Sequence, residues 1–310
     1  MQLFFLVLLF LAICYIGVSW ALSIPILSPK SSLAISRSVI KADWGTTYEE
    51  MVKLLPKPTD FSVVSFDGVT LQGKYFARED SPKYVIIAAH GWTCTWADML
   101  KYVPTLADCP CDLILYDQRG HGLSDSAYPT GGINESKDLL AVTEWVQKNK
   151  GFQDQEVGWL GASWGGAAAL QAGATEKNVG FIIVDAPFQN WYSAIFERAG
   201  RNYGAWTRFV SIGIMEIVNW RTGVDYRKAS PLQAAKKITA PVLLIHSQMD
   251  TATDSQQSVN IAKNLNAKSV FHHLTWGGGH TLDVVIHQDK FRAIVNDFLK
   301  TVDKNLLRPH

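Results

Sequence analysis

A five-residue stretch, Gly161-Ala162-Ser163-Trp164-Gly165, constrains this chain more than any other. The short apolar run Val157-Gly158-Trp159-Leu160 leads into it, and an alanine-rich segment with helical character follows at once (Ala167, Ala168, Ala169, Leu170, Ala172). The pattern predicts a strand, a sharp turn and a helix, with a serine at the apex. Both glycines have a steric reason. A β-carbon at either place would collide with the neighbouring strand or helix, and the serine itself is held in strained backbone geometry. Such strain lifts a hydroxyl clear of a sheet, where a base and a substrate carbonyl can both reach it. The competing reading is a glycine-rich turn with an incidental serine, so the partners available to Ser163 decide the matter.

The surrounding chain alternates strands with helices. Tyr84 to Ala89 is a continuous apolar run, as expected of a strand buried on both faces. Leu113–Tyr116, Phe181–Val184, Val242–His246 and Val270–Leu274 read as further strands, with helical segments between them. Phe61–Phe66 and Val69–Phe76, split by Asp67-Gly68, read as a β-hairpin. This rhythm predicts an α/β fold: a mostly parallel central sheet with helices on both faces. It breaks between Phe188 and Ser230, which is aromatic-rich, helical in period and free of strands. We read 188–230 as a short helical lid inserted over the end of the sheet where the catalytic loops gather; surface helices are the rival. The core then comprises 61–187 and 231–305. Residues 30–60, serine-rich at first, then a short polar helix, then the breaker Pro56-Lys57-Pro58, read as a stalk or linker.

Residues 1–29 carry no charged side chain, and Leu3 to Leu27 is almost wholly apolar. About 20 helical residues cross a bilayer core, so an N-terminal transmembrane helix is expected here. Trp20 near one end, followed by Lys30, Arg37 and Lys41, suits an interface anchor, and these basic residues lean the domain towards the cytoplasm. A cleaved signal peptide, leaving a secreted or periplasmic domain, is the rival, with small residues at Ser19 and Ala21. Against it, no basic residue precedes the run. With 29 basic and 28 acidic residues the net charge is +1, which gives nucleic acid no footprint. The four cysteines offer no metal spacing, and Cys109-Pro110-Cys111 is too tight for an easy mutual disulfide, so free thiols are expected. The eleven tryptophans are expected in the core and at the membrane interface rather than around a cavity.

A serine hydroxyl is a weak nucleophile without a base in hydrogen-bond reach, and that base needs an acid to fix its tautomer. The strand ending at His246 runs into Ser247-Gln248-Met249-Asp250, and the strand ending near Trp276 runs into Gly277-Gly278-Gly279-His280. Asp250 and His280 thus fall at strand C-termini, where open parallel sheets place their sites. Asp254 and Asp185 compete for the acid role, and His246, His272, His273 and His287 for the base; strand-end position favours Asp250 and His280. His90, His121, Asp117 and Arg119 read as loop-bracing residues.

Taken together, His90-Gly91, Asp117-x-Arg119-Gly120-x-Gly122-x-Ser124, Gly161-x-Ser163-x-Gly165, Pro241 to Asp250 and His280 resemble the serine hydrolases of the α/β-hydrolase superfamily, across roughly residues 61–303. Asp185-Ala186-Pro187 and the short insertion suggest similarity to its prolyl-oligopeptidase-like, serine-aminopeptidase-like and membrane-anchored branches. The resemblance implies an α/β-hydrolase fold with Ser163 as nucleophile, His280 as general base and acid, and Asp250 as orienting carboxylate. It further implies an oxyanion hole from the backbone N–H groups of Trp92 and Trp164, and chemistry needing no cofactor or metal. Ester hydrolysis on a small-molecule or lipid substrate is the expectation; peptide or amide hydrolysis, or a non-catalytic binding module, are the alternatives. Two departures stand out: Ser247 occupies a place where glycine is frequent, and the bulky Trp164 follows the nucleophile.

Overall fold

The apolar runs assemble into one eight-stranded sheet in a computed structural model that describes residues 1–78, 81–175 and 179–306. Its strands are β1 (Thr59–Val64), β2 (Thr70–Phe76), β3 (Tyr84–Ala89), β4 (Cys111–Tyr116), β5 (Val157–Ala162), β6 (Phe181–Asp185), β7 (Val242–Ser247) and β8 (Val270–Leu274). Their spatial order is β1-β2-β4-β3-β5-β6-β7-β8. β2 is antiparallel to both neighbours, and β3 to β8 are all parallel. Every residue of β3 to β7 is buried, whereas β1 at the edge alternates between exposed and buried positions. That difference follows from layering: central strands are covered on two faces, and the edge hairpin on one. Asp67-Gly68 makes the predicted turn, with Gly68 at φ +88°.

The helices are α1 (Gln2–Leu27), α2 (Leu33–Asp43), α3 (Tyr48–Val52), α4 (Ile133–Lys150), α5 (Trp164–Gly173), α6 (Trp191–Tyr203), α7 (Thr207–Thr222), α8 (Pro231–Ala235), α9 (Gln256–Ala262), α10 (Asp283–Ile286) and α11 (Gln288–Leu306). A 3-10 helix spans Trp96–Leu106. One face of the sheet packs Ile86, Leu113, Leu160 and Ile183 against Phe291, Phe298 and the 3-10 helix. The other packs Val85, Ile87, Ile114 and Trp159 against Leu139 of α4 and Leu170 of α5. This is the α/β-hydrolase fold, with α6 and α7 inserted between β6 and β7.

The stalk expectation for residues 30–60 needs correction. Ser32 caps α2 by accepting from Ile35 N–H, and Thr47 with Glu50 forms a capping box on α3. Ile40, Met51 and Leu55 then enter the same core as Phe76 and Leu100. Burying a side chain of that size contributes about 2 kcal/mol, so three of them hold the segment on the domain. Ser36 adds a buried hydrogen bond to Asp98 at 2.5 Å. Sequence reasoning missed this because the apolar residues of the segment are interspersed with polar ones and meet the core only where α2 and α3 fold back on it.

Candidate active site

The glycines around Ser163 are demanded by contact with backbone. A β-carbon on Gly161 would be driven into the carbonyl of Gly165, and one on Gly165 into the carbonyl of Ala89 on β3. Ser163 itself lies at φ +53°, and its N–H donates to Asp185 O at 2.8 Å, pinning the turn to the end of β6. The other non-glycine residues with positive φ are Thr93, Ala186 and Thr281, each in a loop following a parallel strand. Backbone strain among the described residues is therefore concentrated at the C-terminal edge of the sheet.

The structure brings Ser163, His280 and Asp250 into one hydrogen-bonded chain. His280 Nδ1 lies 2.6 Å from Asp250 Oδ2, and His280 Nε2 lies 2.7 Å from Ser163 Oγ. An ionised carboxylate only accepts, so Nδ1 carries the proton and Nε2 is left to accept from the hydroxyl. That arrangement can draw the hydroxyl proton onto the imidazole. Asp250 Oδ1 accepts from the backbone N–H groups of Ala252 (2.7 Å) and Thr253 (2.9 Å). Burial works against its charge, but hydrogen bonds from His246 and His280 prevail and hold the carboxyl well below the usual carboxylate range. It is therefore ionised throughout the neutral range.

His246, a rival base in the sequence, has a role that the sequence does not assign: it lies fully buried as a second partner of Asp250. Its Nε2 donates to Asp250 Oδ2 at 3.0 Å and to Thr253 O at 3.2 Å, while Nδ1 accepts from Ser258 Oγ at 2.7 Å. The signal was present in the four-residue spacing from His246 to Asp250 across a strand end. The remaining rivals lie elsewhere, His272 within strand β8. Asp185 accepts from Tyr102 Oη at 2.6 Å, and Asp254 caps the turn before α9 through Gln256 N–H. His273 meets Ser255, and the His287 ring lies edge-on to Trp276.

The glycine loop before His280 is held from both sides. Ser247 Oγ donates to Gly278 O at 2.9 Å and accepts from Met249 N–H at 3.0 Å, tying the loop that bears the acid to the loop that bears the histidine. A glycine at 247 has no such tether. Asp283 Oδ1 accepts from Gly278 N–H at 2.5 Å. Burial, and then the neighbouring Asp185 carboxyl, push Asp283 up to about 6. Its proton is held more tightly in the fold than in the unfolded chain, so its contribution is full below about pH 4 and is lost as pH rises through 6. Asp283→Asn keeps the acceptor and cannot ionise. It is expected to melt several degrees above wild type at pH 8, with the gain shrinking to nothing at pH 4, measured by thermal unfolding across that range. An equal shift at both pH values would show that charge has no part in it.

Trp92 follows β3 and Trp164 opens α5. Among the described residues no acceptor pairs with the Trp92 N–H, and Trp164 N–H lies in the first turn of α5, where helix N–H groups lack intrahelical acceptors. The residues read as loop braces hold this edge together. His90 Nε2 accepts from Gln118 N–H at 3.0 Å, His121 Nε2 accepts from Thr93 N–H at 3.3 Å, and Asp117 accepts from Trp96 and Leu123 N–H. Arg119 is bidentate to Asp138 and also pairs with Asp67.

Ser163 opens into a cavity of about 380 Å³. Trp92, Trp164, Phe188 and Trp191 form its aromatic wall, with Trp164 and Trp191 perpendicular at 4.6 Å. Trp164 is thus buried in the wall. Three of the eleven tryptophans line the cavity, contrary to the expectation that tryptophans would serve only core and membrane. Lys101 also lines the cavity, buried, and donates to Thr281 Oγ1 at 2.7 Å, beside His280 in the chain. Burial lowers the pKa of that lysine from its ordinary value.

Comparison with known proteins agrees with this architecture. The model of the prolyl oligopeptidase family matches residues 114–303, which include Ser163, Asp250 and His280. The chain is 28% identical over 263 residues to the uncharacterized protein YqkD of Bacillus subtilis, covering 83% of this chain and 82% of that one. The Pyrococcus furiosus esterase Pf2001 superposes with a TM-score of 0.64 at 20% identity, over 82% of this chain and 95% of that one. The acylaminoacyl peptidase of Pyrococcus horikoshii superposes at 0.62 and 20% identity, over 81% of this chain and 42% of that one. At such identities the structural likeness is one of fold.

Proposed function

Because the chain belongs to the prolyl oligopeptidase family and is a serine hydrolase of the α/β-hydrolase fold, we propose that it cleaves carboxylic esters through an acyl-enzyme formed on Ser163. His280 takes the Ser163 proton and returns it to the leaving alcohol, and Asp250 holds His280 in the required tautomer. The backbone N–H groups of Trp92 and Trp164 receive the oxyanion, where one such donor is worth about 3 kcal/mol. The observation that carries this reading is the unbroken hydrogen-bond chain from Asp250 through His280 to Ser163 Oγ. The aromatic wall supports an apolar acyl group. An alcohol is also a better leaving group than an amine, and His280 can protonate it as it departs. Residues 188–230 serve as the lid, and α1 as a retained anchor that leaves the domain on the cytoplasmic side.

The likeness to an acylaminoacyl peptidase makes amide cleavage the second reading. A panel of p-nitrophenyl esters from acetate to laurate, set beside aminoacyl-naphthylamides, separates the two. Ester turnover is expected to exceed amide turnover by at least about a hundredfold in kcat/KM, an energy difference of roughly 3 kcal/mol. The opposite order would replace the ester reading with the peptidase one. A folded protein that turns over neither would leave the binding-module reading.

A further inference from the structure

The helix α1 does not leave the domain freely; it lies along α7, and the two run in the same direction. Tyr15 Oη donates to Phe209 O at 2.7 Å, and their rings lie 4.6 Å apart. One helical turn further on, Gly213 abuts Tyr15 and Ser19 so closely that a β-carbon there has no room. Arg221 Nη1 then donates to Ser23 Oγ at 2.9 Å. Ser19, Ser23 and Leu27, spaced by four on one helix face, are buried, while most of the remaining surface of α1 is apolar and exposed. Leu27 joins Trp164, Phe188 and Trp191 in one packed cluster, so the anchor ends against the wall of the Ser163 cavity.

This register fixes how deep α7 must lie if α1 spans a bilayer. A hydrocarbon core of about 30 Å takes about 20 helical residues. Within the 26 residues of α1, every such window contains Tyr15 and Ser19. Leu27 is inside the protein, which favours the window ending near Ala21. Tyr15 then lies about 9 Å inside the boundary, at the rise of a helix along the membrane normal. Phe209 and Gly213 share the depths of Tyr15 and Ser19. At the boundary itself, Trp20 meets Trp220 at 5.7 Å and Arg221 stacks over Trp20 at 4.7 Å, the aromatic and basic pairing that the headgroup region favours. The outer surface of the α6–α7 turn agrees: Tyr203, Trp206, Phe209 and Ile212 are 46% to 69% exposed, with Arg201 and Arg208 among them. The apolar side chains of such a patch are costly facing water and favourable facing lipid, and the long arginine stems let their charged heads reach back towards the boundary.

We propose that the α6–α7 hairpin is a lipid-contacting element that dips into the bilayer spanned by α1, so that the Ser163 cavity opens beside the membrane surface. This rests on the reading of α1 as a retained anchor, and not on the ester reading. α6 is the path from one to the other. Its C-terminal end is the tip of the hairpin, and its Ala194, Ile195 and Arg198 line the cavity. An acyl chain leaving the bilayer can follow this helix from its tip towards Ser163.

The test uses the full chain, with Cys14→Ser, in vesicles of phosphatidylcholine and phosphatidylglycerol. An environment-sensitive NBD fluorophore is attached at Trp206→Cys or, as a control, at Lys268→Cys, an exposed position just before β8 and so at the far end of the sheet. Signal from the parent without an added cysteine is subtracted, and a cooperative melt verifies folding of each variant. The expected result is blue-shifted emission at position 206, quenched by nitroxide-bearing lipid and shielded from aqueous iodide, with position 268 iodide-accessible. Protein that floats with the vesicles while position 206 behaves like 268 overturns the hairpin proposal alone. Protein that does not float overturns the anchor and the hairpin together. Neither outcome touches Ser163, whose reaction with a fluorophosphonate is read separately.

Discussion

Ser163→Ala is expected to abolish covalent labelling by a fluorophosphonate and to lower ester turnover by roughly four to six orders of magnitude. The variant removes one oxygen atom from an intermediate-exposure position and leaves the strained turn, whose N–H bond to Asp185 O does not involve the side chain. Its fold is therefore retained, and loss of turnover reports chemistry. His280→Ala is expected to fall to a similar level, because the hydroxyl then has no acceptor for its proton. The double variant loses little more, since a nucleophile and its base act as a unit and their effects do not add. What survives comes from the two backbone donors and from binding. Labelling and kcat/KM measured on all three variants check this. A Ser163→Ala protein that still takes the probe stoichiometrically would move the nucleophile to another side chain.

Asp250→Asn should lower kcat by about 10⁴ with a far smaller change in KM, although it is nearly isosteric. The reason lies in the four donors around the carboxylate. Oδ2 accepts from His280 and His246, and Oδ1 from the N–H groups of Ala252 and Thr253. An asparagine has only one oxygen to offer. Placed towards the loop, it satisfies the two backbone N–H groups and turns its NH₂ to the histidines. His280 Nδ1 must then accept, its proton moves to Nε2, and Nε2 can no longer take a proton from Ser163. Placed the other way, the amide NH₂ confronts two backbone donors in a buried site, which costs about 1–3 kcal/mol for each group left unpaired. Either choice damages catalysis, and the second also lowers stability. Steady-state kinetics beside a melting curve distinguish them, and a loss in kcat of less than tenfold would remove Asp250 from the role of tautomer-fixing acid.

Much of this architecture was legible because it is local. The strand, turn and helix around Ser163 occupy consecutive residues, and the steric need for Gly161 and Gly165 follows from the tightness of the turn. Continuous apolar runs announced strands buried on both faces, and Asp67-Gly68 announced its hairpin. The helical insertion between β6 and β7 was visible as an interruption of the strand–helix rhythm. These features depend on neighbours in sequence, and sequence patterns report neighbours well.

Strand-end position also singled out Asp250 and His280, but the tertiary structure decided how such distant residues meet. His280 reaches Ser163 across 117 positions, and only the order β5-β6-β7-β8 brings their loops to one edge. The same order turned His246 into a second donor to Asp250 and made Ser247 a tether between two loops. No periodicity could have said that α2 and α3 dock on the core through Ile40 and Met51, or that α1 lies along α7 with Ser19 against Gly213. Helix-to-helix seating depends on which faces meet and at what offset, and those are chosen by packing between surfaces that the chain brings together only when it folds.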